Sequence, residues 1–193
     1  MKVDLKIEFV PFHRAVWLFQ RGEADGIFPF AIKPERMAYT LYPKEHLVSD
    51  AQVLFVRADA HITFTGDLGQ LGGYSFGKQR DAFNGRVFND AVSKGTISKV
   101  AEVTDQRQVI RMLVASRFDI AVGPRLVMRY YAKEAGNMGD IKELQPALDK
   151  PLAAYLGLSK QRDHQALSDR LDQTLAQMHQ DGSYQRIIDQ YLH

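Results

Sequence analysis

The stretch that decides the fold is Phe9-Val10-Pro11-Phe12-His13-Arg14-Ala15, which is followed by Gly22-Glu23-Ala24-Asp25-Gly26 and then by Pro34-Glu35-Arg36. It predicts a strand that stops at Pro11, a helix that ends at Gly22, a second strand and an arginine-bearing turn. Such an arrangement can hold a small anionic molecule at the edge of a parallel sheet. Nothing between these segments looks like a catalytic constellation, so the sequence favours binding over chemistry.

The composition is that of an ordinary globular protein. The 193 residues are 45% hydrophobic and 25% charged, with a net charge of +2, which suits one large domain or two small lobes. Lysine and arginine form no run of five or more, so the concentrated patch that nucleic acids require is not predicted. The sequence has no cysteine, which excludes disulfides and thiolate sites.

The sequence predicts no membrane span and no targeting segment. No stretch approaches the ~20 apolar residues that cross a bilayer. The first residues, Met1 to Lys6, have neither a continuous apolar segment nor a small-residue cleavage site, so they do not resemble a signal peptide. If the protein is exported, we expect its signal to lie upstream of Met1.

Apolar patterning predicts strands that alternate with helices, hence an α/β fold with largely parallel sheets. Leu5, Ile7 and Phe9 alternate with less apolar residues, which predicts a half-buried strand. Further strands are predicted at 25–30, 51–56, 71–76, 97–103, 118–122 and 152–158, and helices at 14–21, 81–94, 104–116, 124–135, 164–179 and 184–192. Gly77 to Arg80 is predicted as a loop that leads into the helix near Asp81.

Other short motifs follow the opening segments in a consistent order. They are Asp67-Leu68, Arg117-Phe118-Asp119 and Asp181-Gly182-Ser183-Tyr184. With the Pro-aromatic-x-Arg-Ala segment, the Gly-x-x-Asp turn and Pro34-Glu35-Arg36, they make the chain similar to the bacterial extracellular solute-binding proteins of family 3, the amino-acid-type receptors of ABC importers. The resemblance runs from about Ile7 to the C-terminus.

The resemblance implies a type II periplasmic-binding-protein-like fold of two α/β lobes joined by a two-strand hinge. One lobe would comprise residues 1–56 plus 153–193 and the other residues 57–152, with ligand in the cleft between them. The family's first strand and helix have no counterpart before Leu5. We therefore expect the first lobe to be incomplete and the monomer weakly stable, or a homodimer to cover the exposed apolar surface.

The resemblance also implies the partners and the site residues. It implies a periplasmic receptor that binds a small anionic solute and delivers it to a membrane permease, without a cofactor. Arg36 would hold the carboxylate of the solute. We predict that Phe28 and Phe30 share one face of their strand and that at least one lines the cleft. In the second lobe, Gly77, Gln79 and Arg80 would hold the anionic end of the ligand at a helix N-terminus.

Two departures from the family pattern concern the ligand. Phe28-Pro29-Phe30-Ala31 has no hydroxyl group where amino-acid-binding relatives supply them. Gly123-Pro124 stands where those relatives have an acidic residue that pairs with the ligand's ammonium. The site therefore suits a carboxylate, but not clearly an α-amino acid.

Three other functions stay open at this stage. The same fold could serve as a ligand-sensing domain in signalling, as a cyclohexadienyl-dehydratase-like enzyme, or as the effector domain of a LysR-type regulator. Glu23, Asp25, Glu35 and Asp119 do not form a convincing acid/base pair, so we predict that the chain is not an enzyme. The six histidines lack the i, i+4 spacing of a helical metal site, and we predict no metal site.

Overall fold

The structure is a computed structural model that describes residues 4–80, 82 and 84–192. The chain divides into two compact units. Unit 1 comprises Met1–Ser49 and Leu152–Asp189, and unit 2 comprises Asp50–Pro151 and Gln190–His193.

Helices and strands alternate through much of the described chain. The helices are α1 (Phe12–Gln20), α2 (Arg86–Ser93), α3 (Gln106–Val114), α4 (Arg125–Glu134), α5 (Gln165–Gln180) and α6 (Ser183–Leu192). The strands are β1 (Gly26–Phe30), β2 (Thr40–Leu41), β3 (Val48–Asp50), β4 (Gln52–Arg57), β5 (Phe76–Gln79), β6 (Val100–Val103), β7 (Ile120–Pro124), β8 (Ile141–Leu144) and β9 (Leu152–Ser159). Short 3₁₀ turns occur at Pro34–Arg36 and Leu68–Leu71.

The two sheets differ in strand direction. In one sheet β9 pairs antiparallel with both β1 and β2, and β3 also pairs with β9. The other sheet has the order β6-β5-β7-β4-β8, in which β5 runs parallel to β6 and β7 while β4 runs antiparallel to β7 and β8. The prediction of largely parallel sheets is therefore wrong outside β6-β5-β7. Strands that run in the same direction need a helical crossover: α2 joins β5 to β6, α3 joins β6 to β7, and α4 joins β7 to β8, which are both antiparallel to the β4 strand between them.

The N-terminal segment departs from its prediction. Residues 4–10 are not part of a strand, and Leu5, Ile7 and Phe9 are 77%, 53% and 95% exposed. An alternating pattern forms a stable strand only when a neighbouring strand supplies hydrogen bonds and an apolar surface. The expected homodimer stays a prediction.

The sheet of unit 2 has an apolar core on each face. Alternation along β4 sends Leu54 and Val56 to the face that α2 covers with Phe88, and sends Val53 and Phe55 to the opposite face. There they join buried residues of α3 and α4, namely Val109, Ile110, Leu113 and Met128. This continuous apolar run is what a strand buried on both faces requires.

The α3 helix begins where the sequence predicts. Asp105 is its N-cap, and the Asp105 carboxylate accepts a hydrogen bond from the Gln108 amide at 2.8 Å. This contact satisfies one of the amides that have no partner inside the helix. The helix predicted from Asp81 to Lys94 is shorter, because α2 runs only from Arg86 to Ser93; Asp81 itself lies outside the described residues.

Asp119 is committed to a structural turn in unit 2. Its Oδ2 atom accepts hydrogen bonds from the Ser75 amide at 2.9 Å and from the Ser75 hydroxyl at 2.6 Å. The hydroxyl and amide of Ser75 lower the pKa of the Asp119 carboxyl below its ordinary value. Because the folded state prefers the ionised form, this contribution to stability is present above the ordinary aspartate pKa and is lost as pH falls through the lowered pKa.

We expect Asp119→Asn to lower the free energy of unfolding at pH 7 by about 1–2 kcal/mol, since it removes a charged acceptor that solvent partly screens. Urea unfolding at pH 7 and at successively lower pH should show the difference from wild type shrinking as the wild-type carboxyl is protonated. Asp59→Asn is the matched control, because the Asp59 side chain is 83% exposed. If the difference in the free energy of unfolding between wild type and Asp119→Asn stayed constant down to acid pH, ionised Asp119 would not be its source.

Candidate functional site

Arg36 lies at the end of the 3₁₀ turn that follows β1. Pro34 occupies the first position of that turn, where a missing amide hydrogen costs nothing. The turn is closed by the Arg36 amide, which donates to the Lys33 carbonyl at 2.9 Å. The backbone therefore fixes the direction from which the long side chain leaves.

Aromatic rings hold the guanidinium of Arg36 in place. Its Cζ atom lies 4.1 Å from the ring centroid of Phe30 and 5.6 Å from that of Phe12. Its Nη1 atom donates a hydrogen bond to the Ala31 carbonyl at 2.9 Å. Stacking on an aromatic face and one backbone contact orient the planar guanidinium, and most of its five N–H groups have no hydrogen-bond acceptor among the described residues.

Tyr42 completes this group of residues, which we call the Arg36 cradle: Phe12, Phe30, Ala31, Arg36 and Tyr42. The Tyr42 ring stacks with that of Phe30 at a centroid distance of 6.2 Å and an interplanar angle of 12°. Its hydroxyl donates to the same Ala31 carbonyl at 3.1 Å, and burial raises its pKa. Tyr42 thus remains a neutral donor at physiological pH.

The prediction that Phe28 and Phe30 share a face is wrong. Phe30 is fully buried, whereas Phe28 is 48% exposed. Ile27 lies opposite Gly157 and Phe30 lies opposite Tyr155, so the register between β1 and β9 shifts between these two pairs. An extra residue in one strand reverses the alternation beyond it, and the ring beside Arg36 is Phe30.

Three predicted site residues in unit 2 lie in or beside a strand rather than in a helix-capping loop. Gly77 and Gln79 belong to β5, and Arg80 follows it, with its amide donating to the Val103 carbonyl at 2.8 Å. Since α2 begins only at Arg86, these residues are not at its N-terminus. Their predicted role in binding stays a prediction.

Gly77 has a packing reason to be glycine. A Cβ atom built on Gly77 would collide with the ring of Phe118, and both residues are buried. The Arg80 guanidinium lies 3.8 Å from Glu102, which also forms a 2.7 Å ion pair with Lys78. Arg80 therefore already faces a carboxylate of its own chain.

Gln106 is a residue that sequence reasoning missed. It is only 5% exposed, and its Oε1 atom has no hydrogen-bond partner among the described residues. That atom lies 3.0 Å from where a Cβ on Gly123 would be, so a buried amide oxygen stands beside Gly123. A glutamine at the first position of a capped helix was the available signal.

The described residues contain neither a metal site of histidine, cysteine and acidic side chains nor a membrane-spanning helix. Within residues 4–80, 82 and 84–192, no group of three or more histidine, cysteine, aspartate or glutamate side chains is placed to hold a metal ion. In the same ranges no helix combines the length and the apolar character needed to cross a membrane.

Comparison with known proteins points to one family. The family model described as bacterial extracellular solute-binding proteins, family 3, matches residues 1–193. No curated protein matches the chain.

Several solved structures share the fold. An ancestral cationic amino acid solute-binding protein has a TM-score of 0.77 and 19% identity, over 98% of this chain and 79% of that one. The second substrate-binding domain of a putative amino acid ABC transporter from Streptococcus pneumoniae has a TM-score of 0.72 and 19% identity, over 94% and 79%. An amino acid ABC transporter substrate-binding protein from the same organism, bound to L-arginine, has a TM-score of 0.70 and 16% identity, over 98% and 77%. At such identities the likeness shows the fold.

Proposed function

The chain belongs to the bacterial extracellular solute-binding proteins, family 3, and we propose that it is the solute-binding component of an ABC importer whose solute carries a carboxylate, as amino acids do. The family and the structural neighbours are binding proteins. We propose that the protein works outside the cytoplasmic membrane and delivers its solute to a membrane permease.

One observation carries the carboxylate proposal. No carboxylate lies within 4.0 Å of the Arg36 guanidinium in the described part of the chain, although the guanidinium is held at a fixed place by Phe30 and Ala31. Most exposed arginines are mobile, and ordering one costs conformational entropy. The Arg36 side chain is already ordered when the protein folds, so solute binding does not carry this entropic cost. A carboxylate can therefore form two parallel hydrogen bonds with a guanidinium that is already oriented.

The geometry of the guanidinium favours a carboxylate over a neutral solute. A planar fork stacked on rings presents its remaining N–H groups in one plane, which matches the two oxygens of a carboxylate. A neutral hydroxyl would satisfy at most one of them and would leave the charge uncompensated. The arginine-bound neighbour and the ancestral cationic amino acid receptor are consistent with an amino acid.

Three of the four candidate acids of an enzyme are engaged elsewhere. Asp25 forms a 2.6 Å ion pair with Arg162, and Glu23 forms one of 2.7 Å with Arg21. Asp119 is held by Ser75, as described above. These contacts support a binding protein rather than a catalyst.

The proposal is tested by thermal unfolding with a panel of L-amino acids, each paired with its carboxamide. We expect at least one amino acid to raise the melting temperature while its carboxamide does not, because the amide removes the charge that Arg36 receives. At 100 times the Kd, stabilisation by mass action is about 2.7 kcal/mol, or roughly 5–11 °C for a chain of this size.

The panel also includes neutral sugars, dicarboxylates and simple amines. A shift caused by a sugar or an amine, with none from any carboxylate, would refute the assigned solute class. Equal shifts from an acid and its carboxamide would show that binding does not depend on the carboxylate.

A further inference from the structure

Among the described residues, unit 2 has four buried side-chain oxygen atoms without a hydrogen donor, and three of them besides Gln106 Oε1 belong to residues near Gly85. These three are Gln52 Oε1, Asn84 Oδ1 and Asp149 Oδ2, and none has a hydrogen-bond partner within the described residues. Asn84 is 0% exposed. Buried polar atoms are nearly always satisfied in folded proteins, so each of these acceptors calls for a partner that the described residues do not supply.

Asp149 and Gln52 lie beside Gly85. The backbone of Gly85 has φ +88°, and a Cβ atom there would collide with the Asp149 carboxylate and lie 3.4 Å from Gln52 Cβ. Asn84 is the residue immediately before it. The Leu148 amide donates to the Gln52 carbonyl at 2.9 Å, which keeps the segment of Asp149 beside the start of β4.

The orientation of the Asn84 amide is fixed by a second contact. Its Nδ2 atom donates to the Ala82 carbonyl at 2.8 Å, so the atom left over is the oxygen, which can only accept. The Oδ2 atom of Asp149 has no hydrogen-bond partner within residues 4–80, 82 and 84–192. A carboxylate with a buried, uncompensated oxygen is costly.

The N-terminus of α2 compensates only part of that charge. Its dipole favours a carboxylate at the Gly85 N-cap. Yet no described amide of the first helical turn donates to Asp149 Oδ2. The dipole also cannot supply a partner for the two amide oxygens.

We propose that Gln52, Asn84 and Asp149 bind a small monovalent cation of the sodium type. Oxygen-only donor sets of carboxylate and amide groups suit hard cations. One carboxylate balances one positive charge, whereas a divalent ion would leave a net charge buried in the protein. The bound cation would tie the start of α2 to the start of β4 and to the segment before β9. This site goes beyond solute binding and does not involve the Arg36 cradle.

The test is thermal unfolding of the full chain in sodium chloride and in choline chloride at equal ionic strength. We expect a saturable rise of roughly 3–6 °C in sodium when its concentration is about ten times the Kd. Asp149→Asn should abolish the rise, and Asp59→Asn, which changes an exposed aspartate, should keep it. Gln52→Leu, which removes one oxygen and keeps the charge, should move the midpoint of the sodium titration upward by about tenfold.

Three results would overturn the proposal. Equal melting temperatures in sodium and choline would mean that water alone satisfies the three oxygens. A full sodium response in Asp149→Asn would place the ion elsewhere. A response to calcium but not to sodium would contradict the monovalent assignment. If Asp149→Asn does not fold, the Gln52→Leu titration and the ²³Na line width of the wild-type protein decide between these outcomes.

Discussion

Replacing Arg36 by alanine is expected to raise the Kd for the carboxylate solute by roughly 30- to 5,000-fold, which corresponds to about 2–5 kcal/mol of binding free energy. The variant loses both the positive charge and the planar guanidinium that Phe30 and Ala31 hold in place. Isothermal titration calorimetry with the solute found in the amino acid panel measures the loss.

Two substitutions serve as controls for this result. Arg21→Ala removes another arginine of unit 1 that stacks on a ring, since Arg21 lies 4.7 Å from the Trp17 centroid and pairs with Glu23. It should leave the affinity unchanged. Arg36→Lys keeps the charge but cannot form two parallel hydrogen bonds, so its loss should be intermediate.

The loss of affinity should occur without unfolding. Among the described residues, the hydrogen bond that the Arg36 side chain donates is the one to the Ala31 carbonyl, so the melting temperature of ligand-free Arg36→Ala should change little. Full affinity in a natively folded Arg36→Ala variant would remove Arg36 from the site. If Arg21→Ala lowered the affinity for the solute as much as Arg36→Ala does, the loss would reflect lower protein stability rather than a lost contact with the solute.

The sequence predicted best those features that depend on neighbours along the chain. A helix starting near residue 104 was predicted, and Asp105 caps α3, because an N-cap needs only an acceptor side chain two or three residues before a free amide. Pro34-Glu35-Arg36 was recognised as a turn for a similar reason, because proline fixes its own backbone angle. Both features arise within a few residues.

What the sequence could not predict depends on partners far along the chain. The relation of Phe28 to Phe30 follows from how β1 pairs with β9, more than 120 residues later. Gly77 suggested a loop, but its reason is the ring of Phe118. The polar groups around Gly85 gave no pattern, because Gln52 and Asp149 come close to Gly85 only through tertiary structure. A buried polar residue is visible only once burial is known.

Phe30→Ala is expected to lower the free energy of unfolding of unit 1 by about 3–5 kcal/mol, the usual cost of truncating a buried phenylalanine. Phe30 is 0% exposed and packs against Phe19, with ring centroids 5.9 Å apart. Its ring also packs over Gly157 of β9, where a Cβ atom would come within 3.1 Å of it. The cavity is therefore bounded by a strand and a helix that cannot easily close it. Differential scanning calorimetry measures the effect.

Phe28→Ala is the matched control, because it removes the same side chain from the same strand two residues away. Phe28 is 48% exposed, so its loss should cost less than about 1 kcal/mol. The comparison tests the register shift itself: unbroken alternation would place both rings on one face and make the two costs similar.

Phe30→Leu separates packing from binding, since it refills most of the cavity but removes the aromatic face beneath Arg36. It should therefore recover much of the stability while leaving solute affinity reduced.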